Sequence, residues 1–286
     1  MKKGFYSLVI ASAVLGASSF AFAGAYGEAE QPEEIPAPAP AAPAPEPEPC
    51  KVMRKHVGFF TDAETTCGLR AELGSFYAAE YHPNSVGDAE AANVYLHISY
   101  GTELFEVGLT APSFIYAHQN GIPGDIKDVG DMRLWGKVLP LRTDQYDLGA
   151  GLVVTFPTGN GGAGTSEYGF EPFLTGGVMA GEASIRGSIG YNVFTEHPNL
   201  GDTYDNIDTN LAVLYPVAEN VVVRAELTQN HFTHADADPT SLWPGVDVSF
   251  PIGEVDLVLR PTLGIGLTEA PDWQIGLGIA VEAPNI

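Results

Sequence analysis

The sequence has few basic residues, few cysteines and few charges of either sign. Lysine and arginine total 13 against 36 aspartate and glutamate residues, which gives a formal net charge of −23. A chain this acidic is not expected to bind nucleic acid, whose phosphates are neutralised by lysine and arginine. Charged residues make up only 17% of the chain, whereas 33 residues are glycine. This composition fits strands that keep one face in an apolar environment.

Only one long apolar run is present, and it lies at the N-terminus. Lys2 and Lys3 precede an apolar stretch over 5–22, which ends at Ala21-Phe22-Ala23. These features predict a secretory signal peptide over 1–23. A membrane-anchor helix is the alternative, but small residues fill the run. No later stretch reaches 18 apolar residues, so a mature chain that meets a membrane is expected to do so as a closed barrel.

The N-terminal part of the mature chain has a composition of its own. Residues 24–49 are rich in proline, alanine and glutamate, which predicts an extended periplasmic linker. The linker is either a spacer or docking arm for a periplasmic partner, or a solvated tail. Residues 50–68 carry the only two cysteines, Cys50 and Cys67, and an even pair in an exported chain predicts a disulfide. The closed segment is either a periplasmic cap or a plug that enters the barrel.

Alternation of apolar and polar residues begins at Leu69 and continues to the C-terminus. Within 255–267, aliphatic side chains dominate one set of alternate positions, and aspartate, arginine, threonine and glycine dominate the other. A period of two predicts strands, and about ten residues is the length that a tilted strand needs to cross a bilayer. The pattern predicts twelve strands, at 69–80, 93–101, 104–117, 129–140, 145–157, 169–180, 183–195, 207–217, 221–232, 243–252, 255–267 and 272–283.

The connections between these strands alternate in length. After the even-numbered strands they are two to four residues long, whereas after the odd-numbered strands they are mostly ten or longer. Short turns at one end and long loops at the other are typical of transmembrane barrels. We therefore predict an all-β fold, a 12-stranded antiparallel up-and-down transmembrane β-barrel over 69–286, in the outer membrane of a Gram-negative cell. Its last strand is expected to pair with the first near Leu69–Tyr77, and the N-terminal arm is expected in the periplasm.

Charged residues fall on the side of each strand that faces the lumen in this arrangement. On the lipid face, an arginine or lysine near the midplane would cost about 2–4 kcal/mol. Twelve strands lie between the filled eight-stranded barrel and the water-filled sixteen-stranded porin, so we expect a narrow polar passage. Pairing of the charges across the lumen, which would plug it, is the alternative. The predicted lumen-lining residues are Arg70, Glu72, Glu106, Asp131, Arg133, Lys137, Asp147, Glu171, Arg186, Asp208, Arg224, Glu226, Asp247, Asp256 and Arg260.

Two further patterns are candidates for metal or catalytic chemistry. The residues His231, His234, Asp236 and Asp238 would offer imidazole and carboxylate groups to a divalent cation. The favoured alternative is that they are solvated loop residues, or carboxylates bridged by cations associated with lipopolysaccharide. The sequence His97-Ile98-Ser99 resembles the His-x-Ser pair of the outer-membrane phospholipase, in which a histidine activates a serine. The pair is predicted to face the lumen rather than lipid, and no asparagine partner is evident. We therefore expect no enzymatic activity.

A third pattern resembles a known barrel family. It comprises Gly130-Asp131 leading into Leu134 and Lys137, the run Phe156-Pro157-Thr158-Gly159 with its glycine-rich loop, and Glu171-Pro172-Phe173-Leu174. These residues resemble the outer-membrane proteins named for the meta-pathway of phenol degradation, which are regarded as transporters of aromatic or other hydrophobic compounds. The resemblance implies a twelve-stranded barrel and small-molecule uptake, without naming the solute.

The expected partners follow from this fold. They are membrane lipid and lipopolysaccharide, a small solute, and a periplasmic protein if the linker is a docking arm. The loop Gly159–Gly164 lacks the Gly-Lys-Ser/Thr ending of a phosphate-binding loop, so no cofactor is expected. We expect the barrel to be a monomer.

Overall fold

A computed structural model describes residues 67–80, 89–111, 113–119, 125–159, 164, 167–195, 205–233, 238–268 and 270–283. The predicted signal peptide, the linker and residues 50–66, with Cys50, lie outside the described residues. Cys67 is only 2% exposed, and its disulfide with Cys50 stays a prediction. In these ranges no helix is both long enough and apolar enough to cross a membrane.

The described chain forms strands joined by turns and loops. All neighbouring strands pair antiparallel. The segments are β1 (Gly68–Glu80), β2 (Ala89–Gly101), β3 (Phe105–Thr110), β4 (Phe114–Gln119), β5 (Ile126–Val129), β6 (Met132–Arg142), β7 (Tyr146–Phe156), β8 (Gly169–Ala180), β9 (Ala183–Phe194), β10 (Asn206–Ala218), β11 (Val221–Phe232), β12 (Thr240–Ile252), β13 (Val255–Thr268) and β14 (Trp273–Ala283).

The sheet closes on itself through its first and last strands. Leu69 lies opposite Ala283 and Ala79 lies opposite Trp273, while the other edge of β1 pairs with β2. The prediction that the last strand pairs with the first is confirmed. The fold is a closed, all-β, 12-stranded antiparallel barrel, as the alternation predicts. The fourteen segments give twelve barrel strands because β3 with β4, and β5 with β6, each make up one strand.

These two barrel strands are interrupted in the structure, whereas the sequence pattern predicts continuous strands at 104–117 and 129–140. Both β3 and β4 pair with β2, and the break between them falls at 111–113. Position 112 is a proline, which has no N–H to donate to a ladder. The second break falls at Gly130-Asp131, so that β4 pairs with β5 while β3 pairs with β6. The breaks leave the order of the barrel strands unchanged.

The turns of two or three residues after β2, β6, β8, β10 and β12 lie at one end of the barrel, here called the turn end, and the longer connections lie at the loop end. Two of the short turns begin at Gly181 and Gly253, each with a φ of 67°. This left-handed conformation suits glycine and the tight turns that join antiparallel strands. Leu69 and Ala283, near the points where the barrel begins and ends in sequence, pair at the turn end as well.

The two faces of the wall have opposite chemistry. Large apolar side chains point outward and are exposed, for example Leu73 at 53% and Ile275 at 54%. Charged side chains point inward, and Glu106, Asp247 and Arg260 are 0% exposed. A water-soluble protein has the reverse arrangement, since its charged residues are almost never fully buried unless they are paired. The outer face is therefore suited to an apolar environment.

Candidate functional site

The half of the interior nearer the turn end holds a buried cluster of charges. Arg260 on β13 donates to Glu72 on β1 at 2.9 Å and to Glu282 on β14 at 3.4 Å. Arg224 on β11 donates to Asp247 on β12 at 2.9 Å. Five adjacent strands are linked in this way. The ion-pair cluster consists of Arg70, Glu72, Arg224, Glu226, Asp247, Arg260 and Glu282.

Two further ion pairs lie on the opposite part of the wall. Lys137 Nζ is 3.1 Å from Glu106 Oε2, and both side chains are completely buried. Arg186 donates to Asp147 Oδ2 at 2.6 Å. The turn half of the interior therefore has the mutual pairing that the sequence offered as the alternative to an open passage. Removing one member of such a buried pair typically costs about 3–5 kcal/mol.

The half of the interior nearer the loop end is open and polar. It contains a cavity of about 590 Å³, within the range of small-molecule sites. Of the predicted lumen-lining residues, the cavity is lined by Asp131, Arg133, Glu171 and Asp208, with Arg70 and Glu72 of the ion-pair cluster. Amide side chains contribute much of the remaining polar surface, namely Asn93, Asn192, Asn206, Asn210, Asn230 and Gln274.

Among the described residues, five aromatic rings of the inner wall lie so close over a glycine of the neighbouring strand that a Cβ there would be less than 3.0 Å from the ring. A Cβ atom built at Gly74 would be 2.1 Å from the Tyr95 ring, and one built at Gly108 would be 2.4 Å from Trp135. Each ring occupies the space that a side chain at the glycine position would fill. A ring in this position narrows the lumen less than a ring that points toward the barrel axis. The inner aromatic ring set consists of Phe76, Tyr95, Trp135, Phe173 and Trp243, over Gly276, Gly74, Gly108, Gly151 and Gly264 respectively.

Three charged side chains on alternate strands of the wall line the open cavity. Glu171 on β8 reaches over Gly190 of β9, where a Cβ would be 2.5 Å from its carboxylate oxygen. Gly190 is opposite Asp208 of β10, so both carboxylates flank the same glycine. Asp208 accepts a hydrogen bond from the Asn206 amide at 2.7 Å. Arg133 on β6 is exposed to the cavity and interacts electrostatically with both carboxylates.

The motif residues on which the family resemblance rests are joined at the cavity rim. Gly159 N donates to Asp131 Oδ1 at 2.8 Å, and Met132 N donates to Thr158 Oγ1 at 2.8 Å. These bonds tie the start of the glycine-rich loop to the break between β5 and β6. The glycines therefore serve close backbone packing, since Gly164 Cα lies only 2.7 Å from a Cβ built at Gly159.

The remaining predicted site residues lie away from the cavity lining. Asp256 is half-buried at the turn end, opposite Glu282. His231 Nδ1 lies 2.5 Å from Asp238 Oδ1, whereas His234 and Asp236 lie outside the described residues. Where the structure describes the chain, no three metal-ligating side chains come together. The metal site therefore stays a prediction.

A second loop-end histidine takes part in a small charged network. Lys127 Nζ lies 2.8 Å from Asp125 Oδ2, and His118 Nδ1 lies 2.8 Å from Asp125 Oδ1. Hydrogen bonds from Lys127 and then from His118 hold the pKa of Asp125 below its ordinary value. All three groups are solvent-accessible, so this network contributes little to stability.

The His97 and Ser99 pair is enclosed in the interior. His97 stacks on Trp135 with ring centroids 5.4 Å apart, and its Nδ1 lies 3.0 Å from Thr110 Oγ1. Ser99 is only 2% exposed. A serine nucleophile that acts on membrane lipid must be reachable from the outer face, and Ser99 is not.

One residue of the ion-pair cluster, Glu282, is absent from the predicted lumen set. The alternation signal reaches it, because Gln274, Gly276, Gly278 and Ala280 are the preceding inward positions. The predicted last strand, 272–283, already contains Glu282, so the same alternation places this side chain inside.

Comparisons with known proteins address the fold. No family model and no curated protein matches the sequence. Among solved structures, the chain is similar to an outer membrane channel from Pseudomonas putida F1, with a TM-score of 0.58 and 15% identity over 77% of this chain and 98% of that one. It is also similar to the translocator domain of the autotransporter NalP from Neisseria meningitidis, with a TM-score of 0.51 and 12% identity over 78% and 90% of the two chains. The chain therefore has the fold of the outer-membrane β-barrels.

Proposed function

We propose that the protein is an outer-membrane channel for the passive uptake of small solutes, with hydrophobic or aromatic compounds among the candidates. The observation that carries this proposal is the polar cavity inside a closed barrel whose outer face is apolar. A barrel that only filled a membrane would have no need of a solvent-filled polar chamber.

The outer face supports a membrane location. The barrel-forming strands β13 and β14 have 14 and 11 residues, enough for a tilted strand to cross the hydrocarbon core. A closed sheet leaves no backbone edge unpaired, which is the condition for β-structure in lipid. Lipid and lipopolysaccharide would then contact the outward aliphatic residues, with short turns and the N-terminal arm on the periplasmic side.

The interior supports a narrow and selective path rather than a wide pore. The cavity occupies the loop half, and the buried ion-pair cluster reduces the space in the turn half. Tyr95, Trp135, Phe173 and Trp243 all line the cavity, and their rings offer apolar surface to a hydrophobic or aromatic solute. The similar structure from Pseudomonas putida F1 is described as an outer membrane channel, which agrees with this function.

Liposome swelling on the purified full-length protein tests the proposal. Neutral solutes of graded size, with a phenol among them, should enter protein-containing liposomes faster than protein-free ones, with a low size limit. Liposomes that carry heat-denatured protein provide the control for leakage. A swelling rate equal to that of the control for every solute would refute a channel function.

A structural or interaction role is the second candidate, and the paired charges of the turn half favour it. A barrel closed by ion pairs would serve as an anchor, with the Pro-rich arm over 24–49 binding a periplasmic partner. Deletion of 24–49 separates the two functions. Solute entry should survive the deletion if the protein is a channel, whereas co-purification of a periplasmic partner should be lost if the arm is the functional part.

A further inference from the structure

The positive and negative groups of the cavity wall are held apart. The other basic side chains among the predicted lumen residues, Arg70, Lys137, Arg186, Arg224 and Arg260, all form ion pairs. Arg133 differs, because within the described part of the chain it has no carboxylate within ion-pair distance. It nevertheless interacts electrostatically with Glu171 and Asp208. The gap between Arg133 and these two carboxylates suits a solute that carries both signs of charge.

The wall on the side of the carboxylates is rich in acceptors that lack donors. Asn192 and Asn210 are 8% and 7% exposed, and both line the cavity. Their amide oxygens have no hydrogen-bond partner, although a buried acceptor without a donor is costly. Asn192 lies on β9 and Asn210 lies on β10, beside the two carboxylates. We call Glu171, Asn192, Asp208 and Asn210 the acceptor wall, and its chemistry matches an ammonium group with three N–H donors.

An apolar surface adjoins both charged groups. Trp135 is the next inward residue after Arg133 on β6, and Phe173 is the next after Glu171 on β8. Together with Val153 of β7 they form one buried cluster. A solute held between Arg133 and the acceptor wall would therefore have rings within reach of its apolar part.

We propose that the cavity binds the zwitterion of an amino acid with an apolar, ring-bearing side chain. Its carboxylate pairs with Arg133, since a guanidinium binds a carboxylate through two parallel hydrogen bonds. Its ammonium donates to the acceptor wall, and its ring packs against Trp135 and Phe173. This assignment rests on the proposed channel function and names the solute class, and a cavity of about 590 Å³ accommodates a molecule of this size.

Three probes of matched shape separate the contributions. L-phenylalanine has both charged groups, phenethylamine lacks the carboxylate, and 3-phenylpropionate lacks the ammonium. Binding of each to the full-length protein in micelles is measured by calorimetry. Phenylalanine should bind about tenfold more tightly than either analogue, because each charge-assisted hydrogen bond contributes roughly that factor.

Two variants assign each charge to its partner. In Arg133→Gln, the affinity for phenylalanine should fall about tenfold to that of phenethylamine, whose own affinity should not change. In the double variant that combines Glu171→Gln with Asp208→Asn, the affinity for phenylalanine should fall to that for 3-phenylpropionate. Lys127→Gln and Glu254→Gln each remove one charge, positive and negative respectively, outside the cavity and should leave all three affinities unchanged. A uniform loss for all probes in either cavity variant would indicate a structural effect and overturn the assignment.

The outcomes distinguish this inference from the channel function. If phenylalanine binds with the pattern above but no solute enters liposomes, the site is supported and the channel is refuted. If neutral solutes enter liposomes while the three probes bind equally or not at all, the channel is supported and the zwitterion site is refuted.

Discussion

Phe173 lies over Gly151, the residue directly opposite it on the neighbouring strand β7. A Cβ at Gly151 would be 2.2 Å from the ring and 2.4 Å from the carbonyl oxygen of Gly136. The ring is at the far end of a side chain, but the carbonyl belongs to the wall and cannot retreat cheaply. The glycine is therefore required for the ring to lie flat beside the cavity.

Replacing this glycine should strain the wall locally. Gly151→Ala is expected to lower the free energy of unfolding by about 1–3 kcal/mol, the usual cost of overpacking. Urea unfolding of the barrel in lipid vesicles, followed by tryptophan fluorescence, measures it. Gly136→Ala is the matched control, because its Cβ would meet its nearest neighbour at an ordinary 3.6 Å. Equal stabilities of the two variants would contradict this account of Gly151.

The ion-pair cluster predicts a larger effect for its central arginine. Arg260→Met would leave Glu72, Asp247 and Glu282 buried without their shared cation, so we expect a loss of about 3–5 kcal/mol in unfolding free energy. Adding Glu72→Gln should restore part of it, because one uncompensated charge disappears. The same unfolding assay applies. Lys127→Met removes one member of an exposed ion pair and should leave the free energy of unfolding unchanged. A fully stable Arg260→Met protein would show that the cluster does not hold the barrel together.

The sequence predicts the wall of this barrel well, for a physical reason. Lipid and lumen impose opposite demands on successive residues, so alternation alone places Leu73 outward and Glu72 inward. Connection length then predicts the up-and-down order of the strands, because short turns and longer connections alternate along the chain and lie at opposite ends of the barrel. The breaks before β4 and before β6 are not part of the prediction, which gives one uninterrupted strand at each place. Across the first break the inward set changes from even positions, such as Thr110, to odd positions, such as Ile115, and the pairing with β2 shifts by one residue.

The interior is predicted in composition but not in arrangement. Alternation shows that Arg260 and Glu72 both face inward, yet they are 188 positions apart in sequence and meet only because the barrel closes through β1 and β14. The partner of each charge depends on strand tilt and register, which alternation does not encode. The exceptional position of Arg133, with no ion-pair partner in the part of the chain described, is likewise a property of the closed barrel.

The tie between the glycine-rich loop and the broken strand predicts a local change. Asp131→Ala removes the acceptor for Gly159 N, and a hydrogen bond of this kind contributes about 1 kcal/mol. Exchange of the Gly159 amide with solvent should therefore become several-fold faster, as measured by NMR on the full-length protein in micelles. Asp144→Ala, in an exposed turn, provides the comparison and should leave that amide unchanged. Unaltered exchange in Asp131→Ala would mean that other contacts hold the loop.

The Asp125 network predicts a specific titration. Because its hydrogen bonds to Lys127 and His118 favour the carboxylate, Asp125 should titrate below an unfolded aspartate. Any stability from this group is present above the unfolded pKa and is lost as the pH falls through the lower, folded pKa. In Lys127→Gln the titration, followed by carboxyl-carbon NMR, should move upward toward the ordinary value. A titration that does not move would exclude Lys127 as the main cause.

The charges of the cavity predict its ion selectivity. Among the described residues outside the ion-pair cluster, three carboxylates, those of Asp131, Glu171 and Asp208, line the cavity against one guanidinium, that of Arg133. A wall with excess negative charge lowers the barrier for cations and raises it for anions. Reversal potentials in planar bilayers under a salt gradient should therefore show a preference for potassium over chloride. Glu171→Gln combined with Asp208→Asn should bring the permeability ratio toward one, whereas Glu254→Gln at the turn end should not. An anion preference in the unmodified protein would mean that Arg133, rather than the carboxylates, dominates the field along the path that ions take.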